Sequence, residues 1–314
     1  MTDQKIKELQ DKILKLKEKE NALILAHFYV DTSIQEIADA VGDSLYLARV
    51  AKEKGDDFDY IIEAAVYFMA ETAVILNPEK EVYISGLETF CPMARMCPAN
   101  IIDEFKLKYP DYPVVLYVNT TAEAKTRADV MCTSSNAVKI CKSLNVSALL
   151  FGPDKNLGLW VKKESGIDII NVPQNGYCYV HNLFTLEVLK QKKAEHPNAI
   201  ILAHPECKPE ILEYADVVGS TKIMYDYCRN SKNTEFIIAT EKGLIDRMNK
   251  EFGPEKKFYP ALDKAICKSM KNNSLDGVLE ILLKKPKIKR VTVEPQIAEK
   301  ARIGIDKMFE LMKN

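Results

Sequence analysis

A chain of 314 residues exceeds one ordinary domain, and its 47% hydrophobic and 28% charged content is that of a soluble globular protein with a sizeable core. The net charge of −1 supplies no basic field for nucleic acid, and no Lys/Arg cluster stands clear of acidic neighbours. No apolar run approaches the roughly 20 residues of a membrane span and no secretion signal opens the chain, so a cytoplasmic protein with eight reduced cysteines is expected.

Met1 to Glu20 is charged, with Ile6, Leu9, Ile13 and Leu16 at helical spacing, which predicts an amphipathic helix. Ala22 to Ala26 reads as a buried strand with His27-Phe28-Tyr29 at its carboxyl end. Thr32-Ser33 then opens a helix, and Glu36 stands three residues past Ser33 in capping-box spacing. Gly42-Asp43-Ser44 leads into a second helix, Tyr60 to Val66 forms a strand, Phe68 to Ala73 a helix, and Glu81 to Ser85 a strand that runs on to Cys91. Strand-like segments recur at 114–118, 148–151 and 167–172, and again near 200–203, 236–239 and 257–259. A last helix begins near Pro295. Alternating strands and helices imply parallel sheets with helices on their faces.

Three sets of positions repeat in the same order. Cys91, Cys178 and Cys267 each follow a strand-like run and are separated by 87 and 89 residues. Ala38 to Ser44, Ala128 to Ser134 and Ala215 to Thr221 share Ala-Asp-x-(Val/Met)-(Gly/Cys)-x-(Ser/Thr). Three apolar runs end at His27, Asn119 and His204. One unit is therefore written three times. The expected fold is α/β: three pseudo-symmetric αβα domains with short parallel sheets around a central site. The expected boundaries are 1–97, 98–182 and 183–270, followed by a tail at 271–314 whose helix, 295–314, packs back on the first domain.

In open α/β sheets ligands gather beyond the carboxyl ends of the strands, where these repeated residues lie. Three convergent thiolates suit an iron–sulfur cluster or another soft metal, and zinc held by three cysteines and a fourth ligand is the rival. A cubane held by three thiolates leaves one iron open as a Lewis acid. Cys132, Cys141 and Cys228 read as core thiols. His27 and His204 read either as hydrogen-bonded core histidines or, from their matched placement, as substrate ligands or acid/base groups, with Asn119 as their counterpart, and His181, close after Cys178, is similar. Ser44, Ser134, Ser220 and Thr221 stand where helices begin, as caps, as anion ligands, or as both. Tyr29, Tyr117 and Glu206 are placed to transfer protons. Neither a Gly-x-Gly-x-x-Gly nor a Gly-x-x-x-x-Gly-Lys-(Ser/Thr) motif occurs, so no dinucleotide or nucleoside triphosphate is indicated.

At these residues the chain resembles the quinolinate synthase family of de novo NAD biosynthesis. The matches run in family order: Ala26-His27-Phe28-Tyr29, Gly42-Asp43-Ser44-Leu45, Phe68-Met69-Ala70-Glu71-Thr72, Cys91-Pro92-Met93-Ala94, Tyr117-Val118-Asn119 and Thr133-Ser134-Ser135-Asn136-Ala137. They continue through Phe151-Gly152-Pro153-Asp154-Lys155-Asn156-Leu157, Cys178-Tyr179-Val180-His181, His204-Pro205-Glu206-Cys207, Gly219-Ser220-Thr221 and Cys267-Lys268-Ser269-Met270.

The resemblance implies three α/β domains around a [4Fe-4S] cluster held by Cys91, Cys178 and Cys267, one iron being unligated by protein. It implies condensation of iminoaspartate with dihydroxyacetone phosphate to quinolinate, with loss of phosphate and water. An L-aspartate oxidase or dehydrogenase would supply the iminoaspartate; no nucleic acid or membrane partner is implied. His27, Tyr29, Tyr117, His204 and Glu206 would bind substrate or move protons. Ser44, Asn119, Ser134, His181, Ser220 and Thr221 would hold carboxylates or phosphate. Four places depart from the family pattern: Val30 for a frequent Gln, Ala65 for a common Gly, Lys222-Ile223 for small residues, and Met270 where some members carry a second cysteine. A zinc-dependent lyase or aldolase on the same scaffold, or a cluster-based redox sensor, are the alternative readings.

Overall fold

The structure is a computed structural model that describes residues 2–313. Helix α1 (Asp3–Lys19) precedes the first repeat, which runs β1 (Ala22–His27), α2 (Thr32–Gln35), β2 (Ala40–Gly42), α3 (Ser44–Lys54), β3 (Tyr60–Ala64), α4 (Tyr67–Leu76) and β4 (Glu81–Ile84). Helix α5 (Ala99–Lys108) precedes the second: β5 (Val114–Tyr117), α6 (Ala122–Lys125), β6 (Val130–Cys132), α7 (Ala137–Ser143), β7 (Ala148–Gly152), α8 (Lys155–Ser165) and β8 (Asp168–Asn171). Helix α9 (Leu186–Glu195) precedes the third: β9 (Ile200–Ala203), α10 (Pro209–Tyr214), β10 (Val217–Val218), α11 (Thr221–Asn230), β11 (Glu235–Ala239), α12 (Lys242–Phe252) and β12 (Lys257–Pro260). The tail holds α13 (Lys268–Lys271), α14 (Leu275–Lys284), β13 (Arg290–Val291) and α15 (Pro295–Lys313).

The expected α/β class with three short, mainly parallel sheets is what the chain forms. Each sheet has the same order, with the second, first, third and fourth strands of its repeat side by side and parallel. The first sheet gains β13, antiparallel on β4. Every residue of β1, β3, β5 and β7 is buried. Successive side chains point to opposite faces, so helices cover both sides, and this is why these strands read as unbroken apolar runs.

The Asp of the repeated heptapeptide has one task in all three repeats. Asp39, Asp129 and Asp216 accept the backbone N–H of Ile24, Val114 and Ile201 at 2.8, 2.7 and 2.8 Å. Their own N–H groups donate back to the carbonyls of those residues at 2.8, 2.9 and 2.9 Å. The clamp sets the first and second strands in one register, pairing Leu25 with Ala40, Val115 with Val130 and Leu202 with Val217. That register corrects one equivalence drawn from the sequence. His27 pairs with Gly42 and Tyr117 with Cys132, so the counterpart of His27 and His204 is Tyr117. Asn119 matches Tyr29 and Glu206, two residues further on.

Two local expectations also change. The Ser33–Glu36 capping box does not form: Asp31 is the N-cap of a four-residue helix, and the Glu36 carboxylate takes the Gln10 amide at 2.7 Å. In the heptapeptides, a Cβ on Gly42 would lie 2.3 Å from Tyr46 Cδ1, and one on Gly219 would lie 2.4 Å from Ile223 Cγ2. Glycine there lets the helix begin at Ser44 and Thr221; the second repeat carries Cys132 instead, and its helix starts only at Ala137.

By compactness the chain divides into two units, Met1–Cys91 with Cys267–Glu299, and Pro92–Ile266 with Lys300–Asn314. In the first unit α14 lies close on Ser85, and Lys289, buried, donates to the carbonyls of Ser85 and Gly277 at 3.3 Å each. In the second unit, a Cβ on Gly304 of α15 would stand 3.2 Å from Ala128 O and 3.3 Å from Met131 Cγ. The middle of the last helix, at Gly304, therefore lies on the second repeat, and a missing side chain there admits the close approach, while its first residues, up to Glu299, belong to the first unit.

Candidate active site

In the first unit, His27 ends β1 and is buried, while Tyr29, two residues on, is half-buried. The Tyr29 N–H donates to His27 Nδ1 at 3.1 Å, and the two rings meet edge to face at 4.6 Å. With Nδ1 occupied as an acceptor, Nε2 is the nitrogen that carries the hydrogen. Ser44 is the first residue of α3, whose cap is Asp43, accepting from Tyr46 N at 3.0 Å; the Ser44 hydroxyl reaches Met69 Sδ at 3.6 Å.

Cys91 and Cys267 belong to this same unit, and the segment after Cys267 braces the approach to Cys91. Ser269 Oγ donates to Phe90 O at 2.7 Å, Asn272 Nδ2 to Glu88 O at 3.0 Å, and Ser85 Oγ pairs with Asn273 Oδ1 at 2.6 Å.

In the second unit His204 repeats the geometry of His27: Glu206 N–H donates to its Nδ1 at 3.3 Å. The Glu206 side chain is the hub of a buried polar group. His181 Nδ1 lies 2.7 Å from Glu206 Oε2, 3.2 Å from Cys178 Sγ, and its Nε2 is 2.9 Å from Thr240 Oγ1. A carboxylate only accepts, so Nδ1 holds the proton and Thr240 fixes the other face of the ring. The His181 and His204 rings stack at 4.4 Å. Burial alone would push the Glu206 carboxyl up; the imidazoles of His181 and His204, with hydrogen bonds from His181 and Tyr117, outweigh it and hold the group down at about 2.

Asn119 Oδ1 is buried without a hydrogen-bond partner, an orphan acceptor two residues past the end of β5. Ser220 is the N-cap of α11 and accepts from Ile223 N at 3.3 Å, so its capping role is real; its Oγ also receives Ser135 Oγ at 2.8 Å. Thr221 is buried at the first position of α11, and Ser134 lies in the turn before Asn136, the cap of α7. Lys222, one of the departures from the family pattern, is paired with Asp226 at 2.5 Å one turn on, so its charge is compensated within the helix.

The three repeated cysteines are fastened in one way. Each lies seven residues past the fourth strand of its repeat, after Ile84, Asn171 and Pro260. The first helical N–H after the third strand catches the carbonyl two residues before each: Tyr67 N to Thr89 O at 3.1 Å, Lys155 N to Gly176 O at 2.9 Å, and Lys242 N to Ala265 O at 3.0 Å. In the second repeat Asp154 adds to this by capping α8 at Leu157 N, 2.8 Å, and accepting Cys178 N–H at 2.9 Å. Burial, then the charge of Glu206, pushes the Asp154 carboxyl well above the usual range.

None of the eight cysteines forms a disulfide; Cys91, Cys178 and Cys267 are part-exposed, while Cys97, Cys132, Cys141, Cys207 and Cys228 are buried. Burial raises all five of those thiols, Cys97, Cys141 and Cys228 to about 12, as befits inert core residues. A donor set of three accessible thiols at equivalent anchored loops fits the chemistry of a cluster held by thiolates.

Sequence reasoning passed over Thr240, and it quoted Asp154 and Asn156 within a motif without assigning them a task. Asp154 carries a legible signal, an N-cap Asp three residues before Leu157 after an apolar strand; Thr240 carries none, since its contact spans 59 residues. No helix among the described residues is long and apolar enough to cross a membrane.

The model of the family described as "Quinolinate synthetase A protein" matches residues 11–310. Similar curated proteins include the quinolinate synthase of Pyrococcus horikoshii, 49% identical over 98% of this chain and 100% of that protein. That of Pyrococcus furiosus is 47% identical over 98% and 99%, and that of Methanocaldococcus jannaschii is 44% identical over 97% and 99%. With the matched span reaching both end helices, and the site motifs lying on the strand ends and anchored loops just described, the chain belongs to the quinolinate synthase family.

Proposed function

We propose that this chain is a quinolinate synthase that condenses iminoaspartate with dihydroxyacetone phosphate, releasing phosphate and water, with Cys91, Cys178 and Cys267 holding a [4Fe-4S] cluster. The observation that carries the reading is the equivalence of those three thiols, alike in anchoring and in exposure where the other five are sealed in cores. When bound, the cluster supplies a Lewis-acidic iron for dehydration. The remaining chemistry belongs to side chains of this chain. Glu206 is an anionic buried carboxylate that takes a hydrogen bond from Tyr117, which orients the hydroxyl so that its oxygen can accept from a substrate N–H or O–H. His27 and His204 present Nε2–H as donors for developing negative charge. Asn119 offers its orphan oxygen to an imine or hydroxyl hydrogen. Ser44 and Thr221, at the starts of α3 and α11, suit carboxylate or phosphate oxygens by hydroxyl and by helix N–H groups.

A second reading has one observation in its favour. Cys178, His181 and Glu206 place three potential donors within 4.8 Å of one another, which suits a mononuclear zinc ion and a lyase or aldolase. The 2.7 Å between His181 Nδ1 and Glu206 Oε2 weighs against it, being a direct hydrogen bond, whereas two ligands about 2 Å from one tetrahedral ion stand farther apart. Anaerobic purification separates the two. The cluster reading expects a brown protein with about four irons per chain, turning over iminoaspartate and dihydroxyacetone phosphate, with colour and activity lost in Cys178→Ala. A colourless, air-stable, zinc-loaded enzyme would overturn it.

A further inference from the structure

The loops beyond β1 and β5 hang on equivalent side chains. In the first repeat Gln35, buried on the short helix α2, sends its one amide nitrogen to two carbonyls, Phe28 O at 3.0 Å and Val30 O at 2.9 Å. Those are the carbonyls on either side of Tyr29. The orientation of the amide is unambiguous, because a flipped group would set its oxygen against two acceptors. It leaves Gln35 Oε1 buried with no partner, so an unsatisfied oxygen is tolerated to keep both contacts. In the second repeat the equivalent residue is Lys125, wholly buried on α6, and its Nζ donates to Thr120 O, the carbonyl that follows Asn119. Thr120 also closes on the strand, donating from Oγ1 to Tyr117 O at 3.2 Å and from its N–H to Val118 O at 2.8 Å.

The third repeat tests the pattern. Its equivalent residue is Leu212, which has no donor to offer, and there the carbonyl of Glu206 receives Asn156 Nδ2 at 2.9 Å instead. All three loops thus have a carbonyl at or beside the same register position, that of Tyr29, Asn119 and Glu206, held by a buried side-chain donor, although the donor is a glutamine amide in one, a lysine ammonium in the next and an asparagine amide from a different helix in the third. A contact that persists while its chemistry changes is kept for what it holds.

We propose that Gln35 and Lys125 are positioning residues of the reaction: each fixes the loop that presents Tyr29 or Asn119 to substrate, and neither touches substrate itself. This rests on the proposed reading, in which Tyr29 and Asn119 face substrate. Reactive groups must sit within a fraction of an ångström of their productive place, and misplacement by about 1 Å costs on the order of a hundredfold in rate.

The test exchanges the two solutions in the cluster-loaded enzyme. Lys125→Met removes the donor, and Lys125→Gln installs the first repeat's amide; Gln35→Leu is the companion truncation. The expectation is that Lys125→Met and Gln35→Leu lower kcat/KM by about 10–100-fold, mainly in kcat, while Lys125→Gln stays within about threefold of the parent by retaining a carbonyl donor. Hydrogen exchange, which needs no turnover, is measured on the same proteins. Amides 118–121 should exchange at least about tenfold faster in Lys125→Met and return towards the parent rate in Lys125→Gln, with β7 amides unchanged in both. Unchanged exchange and activity in Lys125→Met overturns the proposal, as does a Lys125→Gln enzyme as impaired as Lys125→Met. If Lys125→Met does not fold, Lys125→Gln and Gln35→Leu decide by the same criteria. A parent protein without turnover sinks the functional reading alone, and faster loop exchange with full activity sinks the positioning role alone.

Discussion

The first and second repeats share strand order, clamp and cysteine anchor, yet differ at the centre of the sheet. Where β7 carries Phe151 and β11 carries Ile238, β3 carries Glu63, fully buried and with Oε2 unpartnered. Conversely, where α8 is capped by Asp154 and α12 by Glu241, α4 begins after Val66, which caps nothing. The scaffold is therefore specified by the Asp clamp and the backbone bonds common to the repeats, and the buried polar residues that differ are distributed over it one repeat at a time. The first repeat bears a polar liability in its sheet; the second uses its polar residue to fasten a cysteine loop.

Exchanging residues between equivalent places probes that contrast. Asp154→Val, which imports Val66, leaves Leu157 N–H and Cys178 N–H, held by separate carboxylate oxygens, without their acceptors and should cost about 3–4 kcal/mol of stability, with Asp154→Asn, which keeps a single acceptor oxygen, recovering at most about half of it. Equilibrium denaturation of the two variants checks the figure. The reverse exchange, Glu63→Phe, should stabilise. Burial pushes the Glu63 carboxyl from 4.5 up to about 8, so the folded state favours the protonated form. That group's contribution is intact below 4.5 and is lost as pH rises to about 8, a loss of about 3 kcal/mol at pH 7. Glu63→Gln should flatten the midpoint-against-pH curve over that window, and a parent curve already flat there would refute the assignment.

A smaller effect is expected where the repeats agree. Asp129→Ala removes the acceptor of Val114 N–H at an exposed position and should cost about 1–2 kcal/mol, with Asn recovering part, as read by chemical denaturation. Thr240→Ala, which imports Ala65 of the first repeat, deletes the partner of His181 Nε2; about 1 kcal/mol is expected. In turnover assays Thr240→Ser should retain most of the parent kcat and Thr240→Ala lose more of it.

Much of this was legible in the sequence because it is local or periodic. The Asp-x-(Val/Met)-(Gly/Cys) pattern announces both the repeat and the clamp, since the same fifteen-residue span returns three times. Cys91, Cys178 and Cys267 stand out because each follows a strand-like run at a matching interval; the interval alone does not mark them, since Cys141 and Cys228 are also 87 residues apart. The pairing of Asn119 with His27 and His204 was misjudged, however, because an apolar run shows roughly where a strand ends and strand register alone shows which residue lies opposite which. The neighbours of the final helix near Gly304 were not legible for a related reason: amphipathicity marks a buried face without naming what buries it.

The amino-acid order by itself determined the threefold unit, the strand and helix alternation and the residue types capable of chemistry, because each is written in short-range spacing and side-chain character. Tertiary structure alone decided that Thr240 meets His181, that Asn156 holds the Glu206 carbonyl, that Lys125 and Gln35 each donate to a loop carbonyl, and that Glu63 is sealed in a sheet. Those facts depend on which surfaces exclude water from one another, and burial and hydrogen-bond partnership between distant segments exist only once the chain has packed.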